Sequence, residues 1–128
     1  DNGVECCEER CVFTQKGDVD SVQKGSLLIL DRDIDAVFCT NDHIALIFMR
    51  VAMDRGKKIP EELGVIGFDD IDYGRLFPVT LTTIGQPLEQ TSKDIFSLLL
   101  EKINNRHIEK HKIFLNPKLI ERESTKRR

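Results

Sequence analysis

Residues 64–74 read Gly-Val-Ile-Gly-Phe-Asp-Asp-Ile-Asp-Tyr-Gly. Val65, Ile66 and Phe68 form a short apolar run rich in β-branched and aromatic side chains, the composition of a buried strand. The run stops in two adjacent acids, Asp69 and Asp70. A carboxylate pair at the end of a buried strand is costly unless the chain leaves the core there or something uses the charges. A second stretch has the same grammar: Ala36-Val37-Phe38-Cys39 ends in Thr40-Asn41-Asp42. This polar cluster caps a helix predicted from about His43 to Arg55 and stopped by Gly56. Strands of this kind, alternating with helices over short connections, predict an α/β fold with a mainly parallel sheet flanked by helices.

On the N-terminal side, Asp20-Ser21 is expected to cap a helix from Val22 to Leu30, after a turn at Lys16-Gly17-Asp18. Cys11 to Thr14 reads as a short strand before that turn. Downstream, Leu81 to Ile84 is the next strand. Gly85-Gln86-Pro87 introduces a helix with Pro in its first turn, running to about Asn105. Its apolar face is marked by Leu88, Thr91, Ile95, Leu98, Leu99 and Ile103. His111 to Arg122 is a final strand region. The helix after Asp42 is apolar most of the way round, from Ile44 to Met49 and again from Val51 to Met53. It needs a second covering surface, from this chain or from another subunit.

The 128 residues are enough for one ordinary domain, with 40% hydrophobic and 32% charged residues. The net charge of −3 gives no global positive field for nucleic acid or anionic membrane. No apolar run is long enough to span a bilayer. Four cysteines, Cys6, Cys7, Cys11 and Cys39, show no CxxC pairing, so reduced thiols are expected and no metal site.

In open parallel sheets, ligands sit beyond the carboxyl ends of the strands. The clusters at Thr40-Asn41-Asp42 and Asp69-Asp70 lie at two such ends, offering acceptors and amide donors to a polyhydroxylated or heterocyclic molecule. Thr40 and Asn41 also suit a plain capping role, and Asp70 a plain turn; Asp69, directly after Phe68, is hardest to explain that way. An enzyme using Asp69 and Asp70 with a divalent cation would need further ligands that the sequence does not offer, and no GxSxG, P-loop or HExxH is present.

Four ordered segments together resemble the effector-binding core of the lactose/galactose repressor family of bacterial transcription regulators. They are AVFCTNDHIAL (36–46), RGKKIPEELGVIGFDDIDYG (55–74), LTTIGQP (81–87) and PKLIERES (117–124). The resemblance runs in register from about Gly17 to Thr125. It implies a fold like the type I periplasmic binding proteins, in which two α/β subdomains enclose a small-molecule effector. The chain would then be a piece of a longer cytoplasmic, homodimeric regulator without cofactor or catalytic residues. Residues 1–84 and 111–125 would form most of the C-terminal subdomain. Residues 87–105 would be a crossover helix belonging to an N-terminal subdomain outside this sequence. Operator DNA would be bound only through a helix-turn-helix, also outside it. The alternative is a periplasmic-type sugar or solute receptor.

By position, the resemblance assigns effector contacts to Asn41 and Asp69, and gives Asp70 the bracing of the following turn. Val19 stands where many members place an aromatic ring against the ligand. Leu46, Met49, Arg50 and Phe77 fall at the dimer interface. The apolar face of helix 87–105 is expected to fold back, to swap between copies or to pack against a neighbouring chain; solvent on all sides would overturn that expectation.

Overall fold

The computed structural model describes residues 10–15, 17–104 and 112–126. Helix α1 spans Val19–Leu30 and strand β1 Ala36–Phe38; α2 spans Asp42–Asp54 and β2 Gly64–Phe68. A single helical turn, α3, covers Tyr73–Leu76, followed by β3 at Thr82–Gly85, α4 at Leu88–Ile103, β4 at Lys118–Ile120 and a 3-10 turn at Glu123–Thr125. Among the described residues the sheet has four strands in the order β1-β2-β3-β4. The first three are parallel, with Val37 opposite Val65 and Gly67 opposite Thr83; β4 returns antiparallel to β3. This is the α/β, mainly parallel architecture that the strand–helix alternation predicts.

The core lies between the sheet and α2. Ala45, Phe48, Met49 and Ala52 line one side of α2 and pack with Cys39, Leu63, Val65 and Leu81. Ile29 and Leu30 of α1, together with Ile34 and Val37, close over the same cluster. The chain itself thus supplies part of the second cover that the two-sided α2 requires.

Three expectations are corrected and one is narrowed. Residues 11–15 form no strand. They lie against α1 instead, where a Cβ on Gly25 would come within 2.8 Å of Thr14 Cγ2 and 3.1 Å of Val12 Cγ1. The α1 cap is Asp18, whose side chain accepts from the Asp20 amide, so the helix starts at Val19 rather than Val22. β1 is parallel but not buried: among the described residues it pairs only with β2, and Phe38 is 59% exposed. Of the three ways in which α4 was expected to cover its apolar face, folding back onto this chain does not occur, since none of its residues is buried and Ile95, Phe96 and Leu99 are exposed; pairing with a second copy or a neighbouring chain is left as the way to cover it.

The chain's last described turn is stitched across the sheet by side chains. Ser124 is fully buried; its hydroxyl accepts from the Thr82 amide at 2.8 Å and donates to the Val65 carbonyl at 2.6 Å. The Thr82 hydroxyl accepts from the Arg122 amide and meets the Thr125 hydroxyl. Each bond satisfies a polar group that would otherwise be desolvated without a partner. The result is a rigid β2–β3 floor whose carboxyl ends carry the polar clusters.

Candidate functional site

At the carboxyl end of β2 the backbone turns through two consecutive left-handed residues, Asp69 at φ 114° and Asp70 at φ 56°. Aspartate tolerates this region better than most side chains, yet such a conformation still costs about 1–3 kcal/mol per residue and needs surrounding structure to hold it. Three bonds do so. The Asp69 amide donates to Ile84 O at 2.9 Å, the Asp70 amide makes a long contact to the Thr83 hydroxyl at 3.4 Å, and the Ile71 amide donates to Asp42 Oδ2 at 2.9 Å. The acids therefore leave the core at the strand end, and the turn carries the Asp69 carboxylate to the rim.

Asp69 and Asp70 then part company. Asp69 Oδ1 accepts from Gln86 Nε2 at 2.6 Å, on an exposed part of the rim. Asp70 is clamped between Arg75 of α3, at 2.9 Å, and Arg122 just beyond β4. Arg122 also donates to the Leu81 carbonyl. Desolvation pushes the Asp70 carboxyl upward, but the hydrogen bonds and charges of Arg122 and Arg75 outweigh it. The net displacement is below the ordinary value of 3.8. A carboxylate held down in the folded state contributes stability above its unfolded pKa and loses it as pH falls through the folded value. Unfolding free energy, followed by urea titration from pH 7 down to pH 2.5, is therefore expected to drop below about pH 4. Asp70→Asn should flatten that acid limb while lowering stability at pH 7; an unchanged acid limb would remove Asp70 from this role.

Asn41 caps α2, its Oδ1 accepting from the Ile44 amide at 2.9 Å. Its side-chain NH2 keeps two donors. The neighbouring Asp42 links this end of α2 to the Asp69 turn, so the structure brings Asn41 and Asp69 onto one rim. Val19 lies on the first turn of α1, 52% exposed. Cys39, beneath the rim, is buried, and desolvation followed by the Asp42 charge pushes its thiol up to about 12. It stays protonated and unreactive at neutral pH. Cys6 and Cys7 lie outside the described residues. Among the described residues no three His, Cys, Asp or Glu side chains converge as a metal site.

The interface candidates divide. Leu46 and Phe77 are half-buried against the core, and Arg50 is exposed and paired to Asp54 at 3.0 Å. Met49 has no exposed surface at all. It belongs to the chain's own core cluster with Phe48, Leu63, Val65 and Leu81. Sequence reading missed the contributions of Gln86, Thr83 and Arg122 and gave Asp42 no role beyond capping. Gln86 had a usable signal: it is a polar residue at the carboxyl end of a third parallel strand, the same placement that singled out Asn41 and Asp69.

The model of the periplasmic binding protein-like domain family matches residues 4–125. The HTH-type transcriptional repressor PurR of Vibrio cholerae is 36% identical over 100 residues, 78% of this chain and 30% of the repressor. PurR of Vibrio atlanticus is 40% identical over 91 residues, 71% of this chain and 27% of the repressor. The chain thus spans about 30% of the length of these relatives. Among solved structures, a complex of the transcriptional regulator CelR with cellobiose superposes with a TM-score of 0.86 at 30% identity, covering 95% of this chain and 38% of that one. A LacI family regulator from Enterococcus faecium with bound ribose gives 0.76 at 31% identity, covering 88% and 41%. The motifs at 36–46, 55–74, 81–87 and 117–124, the parallel sheet and these likenesses agree: the chain belongs to the periplasmic binding protein-like domain family, in its lactose/galactose repressor-type branch.

Proposed function

We propose that this chain is the effector-sensing part of a DNA-binding transcription regulator, taking a small sugar-like molecule at the rim formed by Asn41 and Asp69. The observation that carries this reading is the Asp69 turn. Two left-handed residues hold a carboxylate at the carboxyl end of β2, with one oxygen engaged by Gln86 and the other free to accept from a hydroxyl. Asn41, with its oxygen committed to the helix cap, keeps its NH2 donors for a ligand. Alternating donors and acceptors on a rigid rim suit a polyol, each of whose hydroxyls both donates and accepts. The names of the relatives, repressors and sugar-bound regulators, support the same class and favour it over a periplasmic receptor or an enzyme.

In the whole protein, effector occupancy would bias the arrangement of the subdomains and so operator affinity. Asp70 suits such coupling, since Arg122 and Arg75 tie the turn next to the ligand to the last strand and to α3. The α3 face carrying Tyr73 and Leu76, 69% and 78% exposed, adjoins Phe77; with Leu46 and Arg50 it is the proposed homodimer surface. The unburied α4 fits a helix that belongs with another subdomain. A cytoplasmic location follows from the regulator reading, and no helix among the described residues is long and apolar enough to cross a membrane.

Isothermal titration with ribose and cellobiose tests the ligand class. Saturable binding of either sugar supports the reading. Saturable binding of adenine and of neither sugar would replace the sugar with a heterocycle. A folded protein that takes none of the three would sink it.

A further inference from the structure

We propose that Asp42 is a positioning residue: its buried carboxylate bolts the turn at 69–71 to α2 and β3 and so sets the direction in which Asp69 points. Asp42 is 0% exposed. An acid in the first turn of a helix ordinarily serves that helix's own free amides and dipole. Here Asn41 does the capping. Both Asp42 oxygens reach instead to distant parts of the chain, Oδ2 accepting from the Ile71 amide at 2.9 Å and Oδ1 from the Thr83 hydroxyl at 2.6 Å. Thr83 is itself fully buried, and its hydroxyl also lies 3.4 Å from the Asp70 amide. One side chain thus restrains the left-handed turn both directly and through Thr83.

The space around the carboxylate points the same way. A Cβ on Gly67 would fall 2.2 Å from Asp42 Oδ1, so the strand leaves room for this group and for nothing larger. Because Asp42 follows Asn41 directly, the bolt also fixes the distance between the two candidate ligand contacts. An acid that was only a solvated helix-start residue would need neither the glycine nor the two remote donors.

The inference rests on the reading of Asp69 as a ligand acceptor, but its test does not need a ligand. In NMR spectra of the wild-type chain, strong intraresidue HN–Hα NOEs are expected at Asp69 and Asp70, the mark of positive φ, with slow exchange of the Ile71 amide. Asp42→Ala should abolish these NOEs and speed Ile71 exchange at least ~100-fold, an opening of about 2.7 kcal/mol, while amides of α1 stay protected. Asp42→Asn should rescue the NOEs, because its oxygen can serve Ile71 while its NH2 donates to Thr83. Thr83→Val, the milder variant should Asp42→Ala not fold, is expected to speed Ile71 exchange about tenfold. Unchanged NOEs and Ile71 protection in a folded Asp42→Ala, or unchanged Ile71 exchange in Thr83→Val, would overturn the proposal. Failure of ribose and cellobiose to bind the wild type would count against the effector reading and leave this measurement standing.

Discussion

Gly67→Ala is expected to cost about 3–5 kcal/mol, read as a lowered midpoint in urea unfolding. On propensity alone an alanine in a strand is no worse than a glycine. The cost comes from what the new methyl meets: Asp42 Oδ1 at 2.2 Å and Leu81 Cδ2 at 3.0 Å. Leu81 is fully buried but can shift by a few tenths of an ångström. Asp42 cannot do so cheaply. To make room it must release the Thr83 hydroxyl, the Ile71 amide or both, leaving a buried carboxylate with unmet demand and donors without an acceptor. A double-mutant cycle isolates this cause. In an Asp42→Ala background the oxygen is gone, and the Gly67→Ala step should fall to about 1 kcal/mol or less. Equal costs in both backgrounds would mean that Leu81, not Asp42, sets the tightness of this site.

The fold was legible where the sequence pattern has a local cause. Val65, Ile66 and Phe68 are a strand because a two-sided sheet interior takes β-branched and aromatic residues, and Asn41 and Gly56 mark the ends of α2 by capping chemistry. The same logic placed Asn41 and Asp69 beyond the carboxyl ends of β1 and β2. What stayed hidden depends on contacts between residues far apart in the chain. Met49 looked like one of several equivalent apolar residues on α2, and only the packing of α2 on the sheet decides that it faces inward. Residues 11–14 have strand composition, yet a strand needs an edge to pair with, and in this structure they lie on α1. Ser124 appears in the sequence as a polar residue near the chain's end. Its role in joining β2 to β3 follows from a register that composition does not encode. The acid pair was half legible: its position announced a use, but the division of labour between Asp69 at the rim and Asp70 in the arginine clamp comes from the turn's two positive φ angles.

Those angles also decide how Asp69 must be probed, and the expected result differs sharply among three substitutions. Asp69→Gly removes the carboxylate while suiting φ 114°, since glycine enters this region without steric cost. It should weaken binding of whichever sugar the wild type takes by about 100-fold, because hydrogen bonds to a charged group contribute about 1.5–3 kcal/mol. Stability should stay within about 1 kcal/mol, since the side chain's Gln86 bond is exposed and no buried group depends on it. Asp69→Asn keeps an acceptor oxygen and an acceptable left-handed backbone but loses the charge. Charge-assisted bonds being roughly twice as strong as neutral ones, a loss of about tenfold is expected. Asp69→Ala should lose affinity like the glycine variant and also stability, by about 1–2 kcal/mol, because its Cβ resists the turn. Titration calorimetry and urea unfolding on the three variants separate the two effects. The order Asn, then Gly for affinity, with Ala alone destabilised, would tie ligand recognition to the carboxylate and the backbone strain to the turn. Wild-type affinity in Asp69→Gly would mean that the sugar is held elsewhere on the rim, and that the left-handed turn serves the arginine clamp on Asp70 rather than the ligand.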